Sequence, residues 1–316
     1  MHRAISKSIV FSIRNEKSAS FLQGKYRVGR ILDGVLHLSP MEAMYLFTKK
    51  RIVPENPSLN SVFSLVGILF DDDRNLDVFR IYEYLKNSGL VVKIESDRLF
   101  FMKQSEHSYL GPVIVRREFS EESFESLYSG APSIYSVIDE QNDMTVYRTS
   151  VYDPKGTAEF SWPERVDARP IGTRYVVSSA GLPEWFGEEM GDAVILSSTD
   201  YRVLSFISKS TDDVPGDFSL AEKAYHELLR RNCIVKTGFK YGANFRVYLR
   251  SMEDHAELLI SVLEKDEWYR LSRAIRVAHA VRKKMIFAGM HQGSLRYLCI
   301  ERISDILTPQ KRAESS

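Results

Sequence analysis

A phenol, an imidazole and an ammonium follow one another within about forty residues: Tyr248, His255 and Lys283. Together they can do one kind of chemistry without a metal. A ribose 2′-hydroxyl can attack the adjacent phosphorus if one group takes its proton, another protonates the departing 5′ oxygen, and a cation offsets the charge of the pentavalent phosphorane. Histidine, with an ordinary pKa of about 6.5, suits the acid. Tyrosine, at about 10, is a poor base unless neighbouring cations favour the phenolate. Arg246, Arg250 and Lys283 are available for that.

Two stretches must position these groups. In NFRVYLR (244–250) the alternation of Phe245, Val247 and Leu249 predicts a strand that turns those residues to a core, with Arg246, Tyr248 and Arg250 on the other face. The SMEDH bend then leads to His255. In LSRAIRVAHAVRKKMIFAGM (271–290), Leu271, Ala274, Ile275, Ala278 and Val281 form an apolar stripe at helical spacing. MIFAGM reads as a buried strand, so Lys283 falls at a helix-to-strand junction. The three groups meet if the tyrosine strand and the strand after Lys283 belong to one sheet.

No GxxxxGK[ST], HExxH, CxxC or GxSxG occurs, and His226-Glu227 lacks the second histidine of a zincin. No metal and no cofactor is expected. Cys233 and Cys299 sit in apolar contexts without metal-ligand spacing and read as buried free thiols.

The net charge of +1 hides an asymmetry: residues 221–316 hold 18 Lys and Arg against 11 Asp and Glu, while residues 1–220 are net negative. A basic segment on an acidic chain points to a polyanionic partner. No apolar run reaches about 18 residues, so no membrane partner is expected. The N-terminus lacks the apolar core of a secretory signal, and the expected location is cytoplasmic.

YEYLKNSGLVVK (82–93) overlays YHELLRRNCIVK (225–236), and LHLSPMEAMYLF (36–47) overlays VILSSTDYRVLS (194–205). The long period suggests a duplicated two-part unit rather than a solenoid. The expected fold is mixed α/β (α+β): four subdomains over 1–75, 76–155, 156–215 and 216–316, the last with a central mixed sheet flanked by helices. The polar stretches 151–172 and 210–217 read as linkers. Extended, the overlay sets Phe101 against Tyr248, Ala131 against Lys283, and His107 near His255, so the first copy lacks the phenol and the amine.

KTGFKYGANFRVY, His255 and RAIRVAHAVRKKMIFA resemble the C-terminal catalytic domain of the archaeal tRNA-splicing endonucleases, and LHLSPMEAMYLF resembles their N-terminal domain. The resemblance implies excision of introns from precursor tRNA at a bulge-helix-bulge, leaving a 2′,3′-cyclic phosphate and a 5′-OH, with no metal. It implies Tyr248 as general base, His255 as general acid and Lys283 as the transition-state cation, with Lys284 as runner-up. Arg276 and Arg302 would grip a splayed bulge base between their guanidinium planes, Arg296 being the alternative to Arg302. It further implies a homodimer in which an acidic loop bearing Asp139, Glu140 and Asp143 plugs into a neighbouring unit. The Tyr-to-His segment, seven residues, is short for the family. Beside this stand two other classes: a non-catalytic RNA-binding or assembly subunit, and a metal-dependent DNA nuclease.

Overall fold

The computed structural model describes residues 11–70, 72–95, 98–103, 108, 110–208 and 215–303. Its described residues divide between two compact units, the first holding most of residues 11–115 and the second residues 116–140 and 145–303. His107 and residues 209–214 lie outside the described residues.

In the first unit β1 (Phe11–Ile13), β2 (Arg30–Leu32) and β3 (Val35–Leu38) form a small antiparallel sheet in the order β1-β3-β2, with α1 (Glu16–Tyr26) between β1 and β2. Helices α2 (Pro40–Thr48), α3 (Val62–Leu69) and α4 (Asp73–Asn87) follow, then β4 (Val91–Glu95), β5 (Arg98–Met102) and β6 (Leu110–Arg117), which pair antiparallel in sequence. Leu36, Met44, Leu46, Ile81, Tyr82 and Leu85 make its core.

The second unit opens with β7 (Glu121–Ser123), α5 (Phe124–Ser129), β8 (Ser133–Ile138) and β9 (Met144–Tyr152). A four-stranded antiparallel sheet comes next, β10 (Ala168–Ile171), β11 (Arg174–Ser178), β12 (Glu188–Met190) and β13 (Ala193–Ser197), then α6 (Ser198–Ile207) and α7 (Leu220–Arg230). The last elements are β14 (Ile234–Thr237), β15 (Phe245–Tyr248), β16 (Leu258–Val262), β17 (Lys265–Glu267), α8 (Trp268–Ala280), β18 (Lys284–His291) and β19 (Ser294–Arg302). Strands β14-β15-β16-β18-β19-β9-β8 lie side by side in that order; β16 and β18 run parallel, making the sheet mixed as expected. α8 is the crossover between them, as a parallel pair requires. Val247, Leu258, Ile260, Ile286, Ala288 and Cys299 fill the core of one face.

Chain order repeats. α4-β4-β5-β6-β7-α5-β8-β9 and α7-β14-β15-β16-β17-α8-β18-β19 are the same succession. The overlaid residues also do the same local work: Ser39 and Ser197 each cap a helix in a reciprocal capping box, with Glu42 and Asp200 respectively. Gly89 and Asn232, matched by the overlay, are both left-handed and end α4 and α7 with the same bond, Leu90 N to Leu85 O and Cys233 N to Leu228 O.

The stretch 151–172 departs from the linker expected of it. Gly156 N bonds to Arg231 O, Thr157 N to Leu249 O and Ala158 N to Asn232 O, so the chain is strapped across the end of the β14–β15 hairpin. Close approach requires the glycine: a Cβ on Gly156 would lie 2.0 Å from Asn232 O.

Candidate active site

Tyr248 ends β15, opposite Ile234 of β14. In the next ladder Val247 pairs with Leu258, and Leu258 pairs in parallel with Lys284 of β18. One step outward along these ladders brings Tyr248, Glu257 and Lys283 into a row across three adjacent strands. At a strand spacing of about 4.8 Å, Tyr248 and Lys283 stand roughly 10 Å apart at the backbone, within reach of one phosphodiester once their side chains extend. His255 lies two residues before Glu257, at the same end of the sheet.

Lys283 is aimed by its helix end. α8 closes in a Schellman motif: Arg282, left-handed at φ 56°, donates its N–H to His279 O, and Lys283 N donates to Ala278 O. The ammonium then donates to Ala256 O, 2.5 Å away, beside His255. Tyr248 packs against the same alanine, and Ala158 and Ile234 complete its surroundings. Ala256 is thus common to all three groups: it touches the tyrosine, accepts from the lysine and follows the histidine in the chain. His255 itself is exposed. Among the described residues neither the Tyr248 hydroxyl nor the His255 ring has a hydrogen-bond partner.

One expectation needs correction. The face of β15 opposite the core is not an open polar surface, because Phe160 and Trp185 pack over the cluster around Tyr248, whose residue is only 7% exposed. Arg246 is half-buried, its guanidinium carbon 5.5 Å from the centre of the Tyr248 ring; Arg250, just beyond the strand, is exposed. Neighbouring Lys236 also turns inward and donates to Trp185 O, and burial lowers its pKa. The fused aromatic cover was written in AEFSWPER and PEWFG, but nothing local says that these runs return to the tyrosine.

Sequence reasoning also missed a second phenol. Tyr241 lies on the short 3₁₀ turn Phe239–Tyr241, with the Lys240 ammonium 5.0 Å from the centre of its ring. The adjoining Lys240 side chain first, with Arg246 and the charge of Lys283, makes it more acidic than an ordinary phenol.

Arg276 is exposed on α8, two turns before Lys283. Arg302 is exposed at the end of β19; Ile286 pairs with Cys299, and Lys283 and Arg302 each lie three positions from that pair, toward the same sheet end. Arg296 is also exposed but lies near the opposite end of β19. Asp139, Glu140 and Asp143 occupy the turn between β8 and β9, with Glu140 and Asp143 exposed. The turn between β18 and β19 is shorter: His291 pairs with Ser294 across Gln292 and Gly293, both at positive φ, as a type I′ hairpin demands. Hairpin register also corrects the overlay. Val91, the counterpart of Ile234, pairs with Met102, so Met102 and not Phe101 stands where Tyr248 does. Either residue lacks the hydroxyl.

Cys233 and Cys299 are free and buried, and burial pushes their thiols up to about 11 and about 12. Among the described residues no three His, Cys, Asp or Glu side chains gather as a metal site, and no helix is long and apolar enough to cross a membrane.

Residues 218–297, which hold all three candidate catalytic side chains, match the family model described as tRNA intron endonuclease, catalytic C-terminal domain. Over nearly its whole length the chain is similar to the tRNA-splicing endonuclease of Thermoplasma volcanium, at 34% identity across 97% of this chain and 100% of that protein. The chain belongs to the tRNA-splicing endonuclease family. The enzyme of Picrophilus torridus is 33% identical over 98% of this chain and 99% of its own, and that of Methanosarcina mazei 26% identical over 87% and 91%. The present enzyme therefore carries its catalytic domain in the second unit, on the sheet that aligns Tyr248, Glu257 and Lys283.

Proposed function

We propose that this endonuclease excises introns from precursor tRNA at bulge-helix-bulge sites, by attack of the ribose 2′-OH on its own phosphodiester and without a metal. Tyr248 takes the 2′-OH proton, O2′ forms its bond to phosphorus, and the P–O5′ bond breaks as His255 gives a proton to the leaving oxygen. Lys283 offsets the charge on the phosphorane. The products are a 2′,3′-cyclic phosphate and a 5′-OH. What supports this reading is Ala256, which packs with Tyr248, accepts from the Lys283 ammonium and directly follows His255 in the chain.

Arg276 and Arg302 are the proposed holders of a bulged base. The acidic turn of Asp139, Glu140 and Asp143 is proposed to dock on a second copy, making a homodimer with two sites, and the four-part division of a duplicated chain belongs to the same proposal. The location we propose is cytoplasmic.

A precursor tRNA with 2′-deoxyribose at one cut site tests the chemistry, because the nucleophile is gone. That site should remain uncut while the other is processed, in EDTA as without it. Cleavage at the deoxy site, or loss of all activity in EDTA, would overturn the mechanism.

A further inference from the structure

Phe239 is 87% exposed at the tip of the β14–β15 hairpin. An aromatic ring left in water gains nothing for folding, and this one is held out rigidly. Tyr241 N bonds to Gly238 O, Gly242 N to Phe239 O, and Gly238 N to Asn244 O. Gly238 is hemmed in, since a Cβ there would meet Ala243 O at 2.7 Å, and Gly242 sits in the left-handed region at φ 67°. The turn is thus built to one shape, with its largest apolar side chain outward.

Beside the ring, cations gather near one phenol. The Lys240 ammonium lies 5.0 Å from the centre of the Tyr241 ring, and Lys240, Arg246 and Lys283 all favour the ionised form of its hydroxyl. Among the described residues no carboxylate pairs with Lys240, Arg246 or Lys283, and the Nε of Arg246 is buried without a partner. Arg246 also lies against the Tyr248 ring, so this cationic group adjoins the catalytic phenol. An exposed aromatic plane next to unneutralised cations is what a single-stranded nucleotide requires: a surface for the base and charge for its phosphate.

We propose that the Phe239–Tyr241 turn is a nucleotide-binding subsite beside the catalytic centre. Phe239 stacks an unpaired base of the substrate, and Lys240, Tyr241 and Arg246 hold the phosphate attached to it. The assignment rests on the ribonuclease reading above and adds a specific contact to it: the subsite fixes a nucleotide flanking the cut and so sets which phosphodiester reaches Tyr248.

The test is fluorescence anisotropy with a labelled precursor-tRNA fragment carrying 2′-deoxyribose at its cut site, alongside cleavage of the unmodified fragment by the wild-type enzyme. Phe239→Ala should weaken binding about tenfold, as expected for losing one stacked base. Phe239→Trp should restore it, whereas Phe239→Leu, equally apolar but without a π-face, should not. Lys240→Ala should reduce the slope of log affinity against log salt by about 0.7, one phosphate contact on a single strand. Binding by Phe239→Ala equal to wild type, or rescue by leucine as good as by tryptophan, would overturn the subsite. If the wild-type enzyme fails to cut the unmodified fragment, the catalytic reading falls instead, while the Phe239 series still decides the subsite. Melting temperatures should match across the series, because the ring is almost wholly exposed.

Discussion

Tyr248 is packed as a core residue around its ring, yet its hydroxyl has no partner among the described residues. That combination separates the roles of ring and oxygen. Removing the oxygen leaves packing intact and exposes no orphaned partner, so stability should hardly change. Removing a base from the reaction should lower the single-turnover rate by about 10²- to 10⁴-fold. Tyr248→Phe is therefore expected to melt with the wild type while nearly failing to cleave. A large fall in melting temperature would show the hydroxyl to be structural, and a rate within threefold of wild type would remove it from the chemistry. Lys283→Ala differs, since its ammonium also bonds Ala256 O; loss of the cation should cost about 10²- to 10³-fold in rate. The types of these residues were legible in the sequence because each carries its chemistry with it. Tyr241 was not, because its acidity comes from its surroundings, Lys240 and Arg246, which only the fold brings near it.

Among the elements, periodic ones were read correctly. Leu271, Ile275 and Ala278 are buried on α8, Arg273 and Arg276 are exposed, and Lys283 follows at the junction. Val281, the last member of the expected stripe, is exposed instead, since it is the C-cap where the chain turns away. The strap over the β14–β15 hairpin escaped the reading for a different reason. Its proline, glycine and charge are those of a loop, and it has no strand or helix between β9 and β10; its order comes from bonds to residues about 75 to 90 positions away. Local pattern carries no sign of such partners. Gly156 measures how tightly it is held. Gly156→Ala drives a methyl into the backbone at Asn232, and overpacking of this kind costs about 1–3 kcal/mol or more. The expected outcome is a lower denaturant midpoint together with reduced cleavage, because Ala158 and Phe160 would no longer cover Tyr248. An unchanged midpoint would mean that the strap contributes nothing to the site.

For the whole molecule, the proposed catalytic set occurs once among the described residues, since Met102 has in the β4–β5 hairpin the place that Tyr248 has in β14–β15. Excising an intron takes two cuts. Either one site works twice or two chains each cut once, and the acidic turn favours the second. Asp139, Glu140 and Asp143 stand where β18 and β19 have only Gln292 and Gly293, and the C-terminal third supplies surplus positive charge for such a turn to meet. Opposed charges across an interface set partner choice and orientation, and their loss is felt most when they are desolvated. Neutralising the turn with Asp139→Asn, Glu140→Gln and Asp143→Asn together should therefore shift the enzyme, in gel filtration with light scattering, from twice the chain mass of 36.3 kDa to that mass. Cleavage should fall at both splice sites at once, although no residue near Tyr248 has changed. Raising the salt should shift the wild type the same way at lower concentration of enzyme, since screening weakens charged docking. A wild-type enzyme that runs as a single chain and still cuts both sites would remove the paired arrangement and leave one site to act twice.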